Sequence, residues 1–475
     1  MNRALLAVAM LGACTEDVIV SPLIDRPHLD ADAEAFGVID QIVIAIAPEG
    51  DDTDLVTKRF DRGDALEIAD IPFGSNLVLH MTGFSGMTQI GYGRTCAFPV
   101  SPGAGPVAPH VFFSSSRKFA TTDITPADRT GGQAFELAGG VVLLGGGTQA
   151  IEQFDPLSGE LVTSNETIAA RTGAVGALLG VSPPRIALIG GFANNVPARI
   201  VELFDPRDGL DTIMDMRMGR NGMTATSLSD GRVIVVGGYI PASAPSGAII
   251  ELTPAGTTAD IADVATLVHP RWGHTATRLG DDLGAPVLIA GGLDAETGGT
   301  AIAQAELFRP LSRTLSPMFA PPMRHPRTGH HAAPMPDGSV LFIGGVDALG
   351  NPVRDLERFT IDEGFVDVVD SGNRAVTLDD SIGVIDMSVT QLPDGRLLIA
   401  GGRPDGNPNG APTDVAYVLR LDPGTGTLDI GPTDKMFTAR ANHQAALLCD
   451  GTVFVSGGSE ELFAERYNPP PAGRR

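Results

Sequence analysis

The chain has 475 residues, with 33 Lys and Arg against 57 Asp and Glu and a formal net charge of −24. Such a field repels phosphate backbones and anionic headgroups, which argues against nucleic acid as a partner. With 43% hydrophobic and 19% charged residues, and 59 Gly beside 36 Pro, the composition is that of a folded, turn-rich protein.

MNRALLAVAMLGAC opens the chain with one basic residue, Arg3, an apolar run from Ala4 to Leu11, and small residues ending at Cys14. The run is too short to span a bilayer and reads as a secretory signal over residues 1–13. Leu11-Gly12-Ala13-Cys14 resembles a bacterial lipobox, which implies a lipid on Cys14 and an anchor in the cell envelope. Thr15 in place of Asp resembles the outer-membrane form of that signal; a plainly secreted protein is the alternative. Residues 14–35 are polar, acidic and proline-marked without a period, as expected of a flexible tether.

Between residues 36 and 102, Ile42, Ile44 and Ile46 alternate with polar or small residues, the period of a half-buried strand. Further runs at Ala65 to Ile68, Leu77 to Met81 and Ile90 to Phe98, separated by turn signals, predict a small β-sandwich domain. Asp51, Asp52 and Asp54 lack the ligand alternation of a calcium loop and read as a solvated hairpin tip. Residues 103–110, rich in Pro and Gly, predict a linker. Of the three cysteines, Cys96 and Cys449 could pair, but they fall in different predicted domains. Cys449 ends the apolar stretch Ala445 to Leu448 and reads as a buried free thiol.

From residue 111 one unit recurs. A glycine pair returns at Gly146, Gly190, Gly237, Gly291, Gly344, Gly401 and Gly457, with first glycines 44 to 57 residues apart. Four mostly apolar residues precede each pair, as in strands buried on both faces. Asp-Gly precedes four of these runs, at Asp230, Asp337, Asp394 and Asp450, and predicts two-residue hairpins. After each pair come a variable loop, a strand carrying Glu and an aromatic, and a fourth strand. Four strands per unit at this period predict propeller blades. The pattern resembles the kelch repeat over residues 111–469, close to the divergent bacterial repeats and the galactose-oxidase propeller. The fold expected is therefore all-β, a seven-bladed kelch-type β-propeller preceded by a small β-sandwich domain, with 470–475 as a tail. Because the last unit lacks a fourth strand, residues 111–121 are expected to supply it.

An arginine opens the first strand in six units and a glutamate marks the third strand in six. The pairs expected are Arg129 with Glu152, Arg171 with Glu202, Arg220 with Glu251, Arg271 with Glu306, Arg327 with Glu357, and Arg440 with Glu465. In the sixth unit Val384 and Leu419 replace both partners together, which favours buried ion pairs over an anion funnel. His274, His330 and His443 stand three residues after the arginine in different units and read as packing residues rather than metal ligands. The resemblance raises copper-radical oxidation, which needs a Tyr–Cys crosslink with further Tyr and His ligands. The four tyrosines, Tyr92, Tyr239, Tyr417 and Tyr467, form no such motif, so no cofactor or metal is expected. Nor does a nucleophile elbow, phosphate loop or carboxylate pair stand out. Function is therefore expected at the variable loops after the glycine pairs, as non-enzymatic binding of a protein or carbohydrate partner. Candidate contacts are Asn194, Asn195, Tyr239, Asp294, Asp347, Asp405 and Asn407. The alternative is a secreted propeller enzyme, an oxidase of the galactose-oxidase kind or a hydrolase.

Overall fold

The structure, a computed structural model, describes residues 18–28 and 37–469 apart from 52, 104, 138–141, 168, 195, 208, 242, 318–320 and 423. Cys14 and the predicted signal lie outside the described residues. Among the described residues the regular elements are thirty-seven strands, an all-β arrangement. From residue 118 onwards they make seven four-stranded antiparallel sheets, numbered here one to seven in the order of their glycine pairs. In the fifth, His331–Pro334, Val340–Ile343, Glu357–Thr360 and Gly364–Asp367 pair in sequence order.

The second strands are apolar because neighbours cover both their faces. Val233, Ile234, Val235 and Val236 are all fully buried. Val233 and Val235 pack with Leu179 and Ala187 of the second sheet, whereas Ile234 and Val236 pack with Val287 and Ile289 of the fourth. Each such side chain contributes about 1.5–3 kcal/mol by leaving water. The Asp-Gly turns differ from the two-residue expectation. In the sixth sheet Gly395 N donates to Leu392 O at 2.9 Å and Leu392 N to Arg396 O at 2.7 Å, a three-residue loop. There the glycine takes φ +80°, while Asp394 accepts from the Arg396 N–H at 3.2 Å.

Glycine pairs join neighbouring sheets. The second glycine of each pair donates to the carbonyl that opens the next unit: Gly147 to Arg171, Gly191 to Arg220, Gly238 to Arg271, Gly292 to Arg327, Gly345 to Val384 and Gly402 to Arg440. Gly458 donates to Arg129 at 2.9 Å, so the series returns to the first sheet. Only glycine serves here: Gly292 has φ +88°, and a Cβ on it would stand 2.6 Å from Trp272 O. In the seventh sheet the outer strand is Lys118–Thr121, paired antiparallel with Glu465–Asn468. Phe119 is fully buried there against Tyr467, with ring centroids 5.0 Å apart.

Ahead of the seven sheets, Val56–Asp61, Gln41–Pro48, Gly74–Ser85 and Thr88–Arg94 form a sheet in that order, with Phe98–Val100 also on Gly74–Ser85. Val56–Asp61 takes the place expected for a strand at Ala65 to Ile68, of which only Ile68 bridges, to Val20. Instead of a second full sheet, Leu23–Asp25 pairs in parallel with His110–Phe112, and the two layers share one core. Two expectations change as a result. Residues 18–28 are docked rather than a free tether, because Val18 and Val20 bury their side chains among Ile44, Leu79 and Phe113. Of the expected linker 103–110, residues 105–110 are likewise drawn in, Val107 bridging to Val20.

This domain is fixed to the seventh sheet. Cys96 and Cys449 form a disulfide with Cα atoms 4.9 Å apart, which overturns the reading of Cys449 as a free thiol. Asn468 Nδ2 donates to Tyr92 O at 2.7 Å, and the Arg466 guanidinium lies 4.1 Å from the Phe112 ring centroid. Arg466 is itself paired with Asp450.

Candidate functional site

Behind the glycine pairs, the six arginines act as spokes. Each donates Nη1 to the carbonyl of the first glycine of its own unit, at 2.9–3.4 Å. Five also meet their glutamate: Arg129–Glu152 at 2.6 Å, Arg271–Glu306 at 2.8 Å, Arg327–Glu357 at 2.9 Å, Arg440–Glu465 at 3.0 Å, and Arg171–Glu202. Burial pulls the pKa of these guanidinia down while the glutamates oppose it. Glu306 also accepts from the Val268 and His269 N–H groups, so both carboxylate oxygens are satisfied. These ten side chains are scaffold, closed to a ligand.

The sixth expected pair does not form. Register sets Glu152, Glu202, Glu306, Glu357 and Glu465 opposite the residue two before the first glycine. In the third sheet that place belongs to Ile250, opposite Val235, and Glu251 falls on the other face. There it pairs with Arg232 at 2.5 Å and with Arg313 of the fourth sheet at 2.7 Å. Arg220 is left buried with Nε unpartnered. In the sixth sheet the equivalent residue is Tyr417, opposite Ile399, rather than Leu419.

The histidines strap first strands together around the ring. His274 Nε2 meets Thr224 Oγ1 at 3.2 Å, His330 Nε2 meets Thr275 Oγ1 at 3.0 Å, and His443 Nε2 meets Ser388 Oγ at 2.8 Å. Burial, with the neighbouring arginine second, lowers His274 and His443 to about 3 and drives His330 well down, so all three are neutral. Above them, the residue two after each arginine position has positive φ: Gly131, Gly173, Gly222, Gly273, Gly329, Asp386 and Asn442. These residues meet around the ring, for example Gly329 N to Gly273 O at 3.0 Å and Asn442 N to Asp386 O at 2.8 Å. Asp386 pairs with Arg403 at 3.1 Å, yet burial raises its pKa.

The candidate loop residues divide. Asp347 accepts from Leu349 N, Asn351 N and Asn351 Nδ2 at 2.8–2.9 Å. Asp294 accepts from Thr300 N at 2.6 Å, Asp405 from Asn407 N at 3.0 Å, and Asn407 from Asn409 N at 2.9 Å. Their oxygens shape their own loops. Asn194, with φ +51°, turns the short ribbon of Phe192–Ala193 and Val196–Pro197; Asn195 lies outside the described residues. Tyr239 differs, because it belongs to an aromatic cluster. Its ring centroid is 4.8 Å from Trp272 and 6.5 Å from Phe192, and all three rings are half-buried. The Trp272 ring lies over Gly222 and its Nε1 donates to Ala295 O at 3.0 Å. Phe192 and Tyr239 each follow a glycine pair and Trp272 follows Arg271. Reading those repeat positions down the units would have gathered them.

No protein-family model and no curated protein sequence matches the chain. Among solved structures, YjhT is similar at 13% identity and TM-score 0.48, over 65% of this chain and 99% of that one. A fungal alcohol oxidase of the AA5 family, in complex with copper, is similar at 14% identity and TM-score 0.52, over 74% of this chain and 76% of that one. The likeness to the oxidase shows the fold alone, a β-propeller. A copper centre of that kind does not fit the residues here. Tyr92 is paired with His80 Nδ1 at 2.6 Å in the N-terminal domain, a Tyr–His pair not evident from spacing, but Tyr467 lines a cleft between the sixth and seventh sheets. The described cysteines, Cys96 and Cys449, are committed to the disulfide, and no three His, Cys, Asp or Glu cluster for a metal among the described residues.

Proposed function

We propose that the chain is a seven-bladed kelch-type β-propeller of the cell envelope, lipid-anchored through Cys14, which binds carbohydrate on the face that carries the glycine pairs. The single observation behind the ligand class is the Phe192–Tyr239–Trp272 cluster. Aromatic rings offer flat apolar area with polar edges, which suits the faces of sugar rings. The chain has only four Tyr and one Trp, and two of these five share the patch. The scaffold behind is spent on ion pairs and glycine carbonyls, so recognition falls to this patch and the loops beside it. A protein partner on the same rim is the competing ligand class.

Trp272 is the only tryptophan, so emission excited at the red edge, where tyrosine does not absorb, reports on this patch alone. Titration with a panel of neutral oligosaccharides is expected to shift or quench that emission saturably. In Tyr239→Ala the affinity should fall at least tenfold with the melting temperature little changed. An unresponsive wild-type protein would sink the carbohydrate reading. The anchor is tested separately: labelled palmitate should enter the wild-type protein and not Cys14→Ala.

A further inference from the structure

A second recess lies away from the glycine face. A cleft of about 540 Å³ opens between the sixth and seventh sheets on the side of the Asp-Gly turns. Three arginines line it, Arg117, Arg396 and Arg420, although the chain as a whole carries a net charge of −24. Asp394 is already engaged, its Oδ2 2.6 Å from both Nε and Nη2 of Arg396. Asp429 also lines the cleft and stands opposite Arg420 in strand register, but no ion pair joins the two. Arg117 and Arg420 therefore bring two guanidinium groups to one cleft without a carboxylate partner among the described residues.

Arg117 is held there by its backbone. It has φ +64°, a conformation that L residues other than glycine rarely adopt. Bonds on both sides fix it: Arg117 N donates to Asn468 O at 2.7 Å, and Thr433 Oγ1 donates to Arg117 O at 3.1 Å. Thr433 Oγ1 also lies 2.9 Å from the Tyr467 hydroxyl, which lines the same cleft. Burial pushes that hydroxyl's pKa up, while Thr433 and the charges of Arg396 and Arg117 oppose the shift, as groups within reach of one another do.

We propose that this cleft binds an oxyanion, the carboxylate, sulfate or phosphate of a small polar ligand, between the Arg117 and Arg420 guanidinia with Tyr467 alongside. Two unpaired like charges in one recess repel until an anion enters, and the guanidinium fork fits two oxygens at once. The site is separate from the aromatic patch, so its loss leaves the Trp272 emission response intact.

Calorimetric titration of the full chain at low ionic strength tests this, with inorganic phosphate, sulfate and galacturonate as probes. At least one probe should bind, about tenfold more weakly in Arg117→Gln and in Arg420→Gln, with Arg420→Lys between. Arg59→Gln, an exposed charge on the N-terminal sheet, should leave binding unchanged. A preference for galacturonate identifies a carboxylated saccharide; a preference for phosphate or sulfate identifies the corresponding ester. Absence of binding to the wild-type protein, or equal binding by all variants, overturns the proposal.

Discussion

Glu251 meets Arg232 at 2.5 Å on the opposite side of its strand from the place where the other sheets hold a glutamate for their arginine. Arg220 thus keeps its position and its bond to Gly237 O, at 3.4 Å, without a salt-bridged glutamate, and the charge of Asp263, opposite Ile250, is what offsets its burial. Arg271 in the next sheet has such a glutamate. Removing Arg271 leaves Glu306 buried and charged, a loss of about 3–5 kcal/mol. Arg220→Met leaves only Asp263, which is exposed to water, and removes a buried, incompletely bonded cation, so it should cost far less than Arg271→Met, which leaves the fully buried Glu306. Conversely, Ile250→Glu should be tolerated with Arg220 present and strongly destabilising beside Arg220→Met. Urea unfolding of the two singles and the double gives the coupling, expected at about 1–3 kcal/mol. Equal losses for the two arginine variants and no coupling would contradict this account.

That offset also explains how far the sequence could be read. The strands before the glycine pairs are continuous apolar runs, and their repetition makes the fold visible without a structure. Arg327 and Gly344 lie 17 residues apart in a unit whose hairpin length is constrained, so that half of the pair was readable. The glutamate follows a loop of variable length. A one-residue change there moves a side chain to the other face, which spacing alone cannot reveal. Hence spacing assigns Glu251, one residue off, to the place Ile250 holds, and Leu419, two residues off on the same face, to the place Tyr417 holds. The aromatic patch was half visible, through Tyr239, because its members come from three units. Cys96 and Cys449 are 353 residues apart, and nothing local marks them as partners.

The disulfide carries the second prediction. It closes the span between the N-terminal domain and the turn of the seventh sheet, where Asn468 and Arg466 add noncovalent contacts. Constraining so long a loop in the unfolded chain is worth about 2–5 kcal/mol. Reduction, or Cys96→Ser with Cys449→Ser, should lower the denaturant midpoint accordingly. In the native oxidised protein, alkylation followed by mass spectrometry should find Cys96 and Cys449 unmodified until reductant is added. Ready labelling of both without reduction would show that the link is not made.

The strapping histidines predict an acid limit to stability. His274 and His443 fall to about 3 and His331 to about 4, burial being the main cause in each, whereas in an unfolded chain histidine titrates near 6.5. Their folded pKa is thus the lower one. Between those values the unfolded chain binds more protons than the folded one. Stability from these groups is therefore fully present above about pH 6.5 and is lost as pH falls towards about 3. Each group contributes a slope of up to about 1.4 kcal/mol per pH unit within its window. Carboxylates add their own dependence, so the informative quantity is a difference between proteins. In His274→Gln with His443→Gln, the amides can still donate to Thr224 and Ser388 but take up no proton. The fall in urea midpoint between pH 7 and pH 4.5 should be shallower than in wild type by the equivalent of about two protons, even if stability at pH 7 is lower. Parallel pH profiles for the two proteins would mean that these histidines are not buried and neutral.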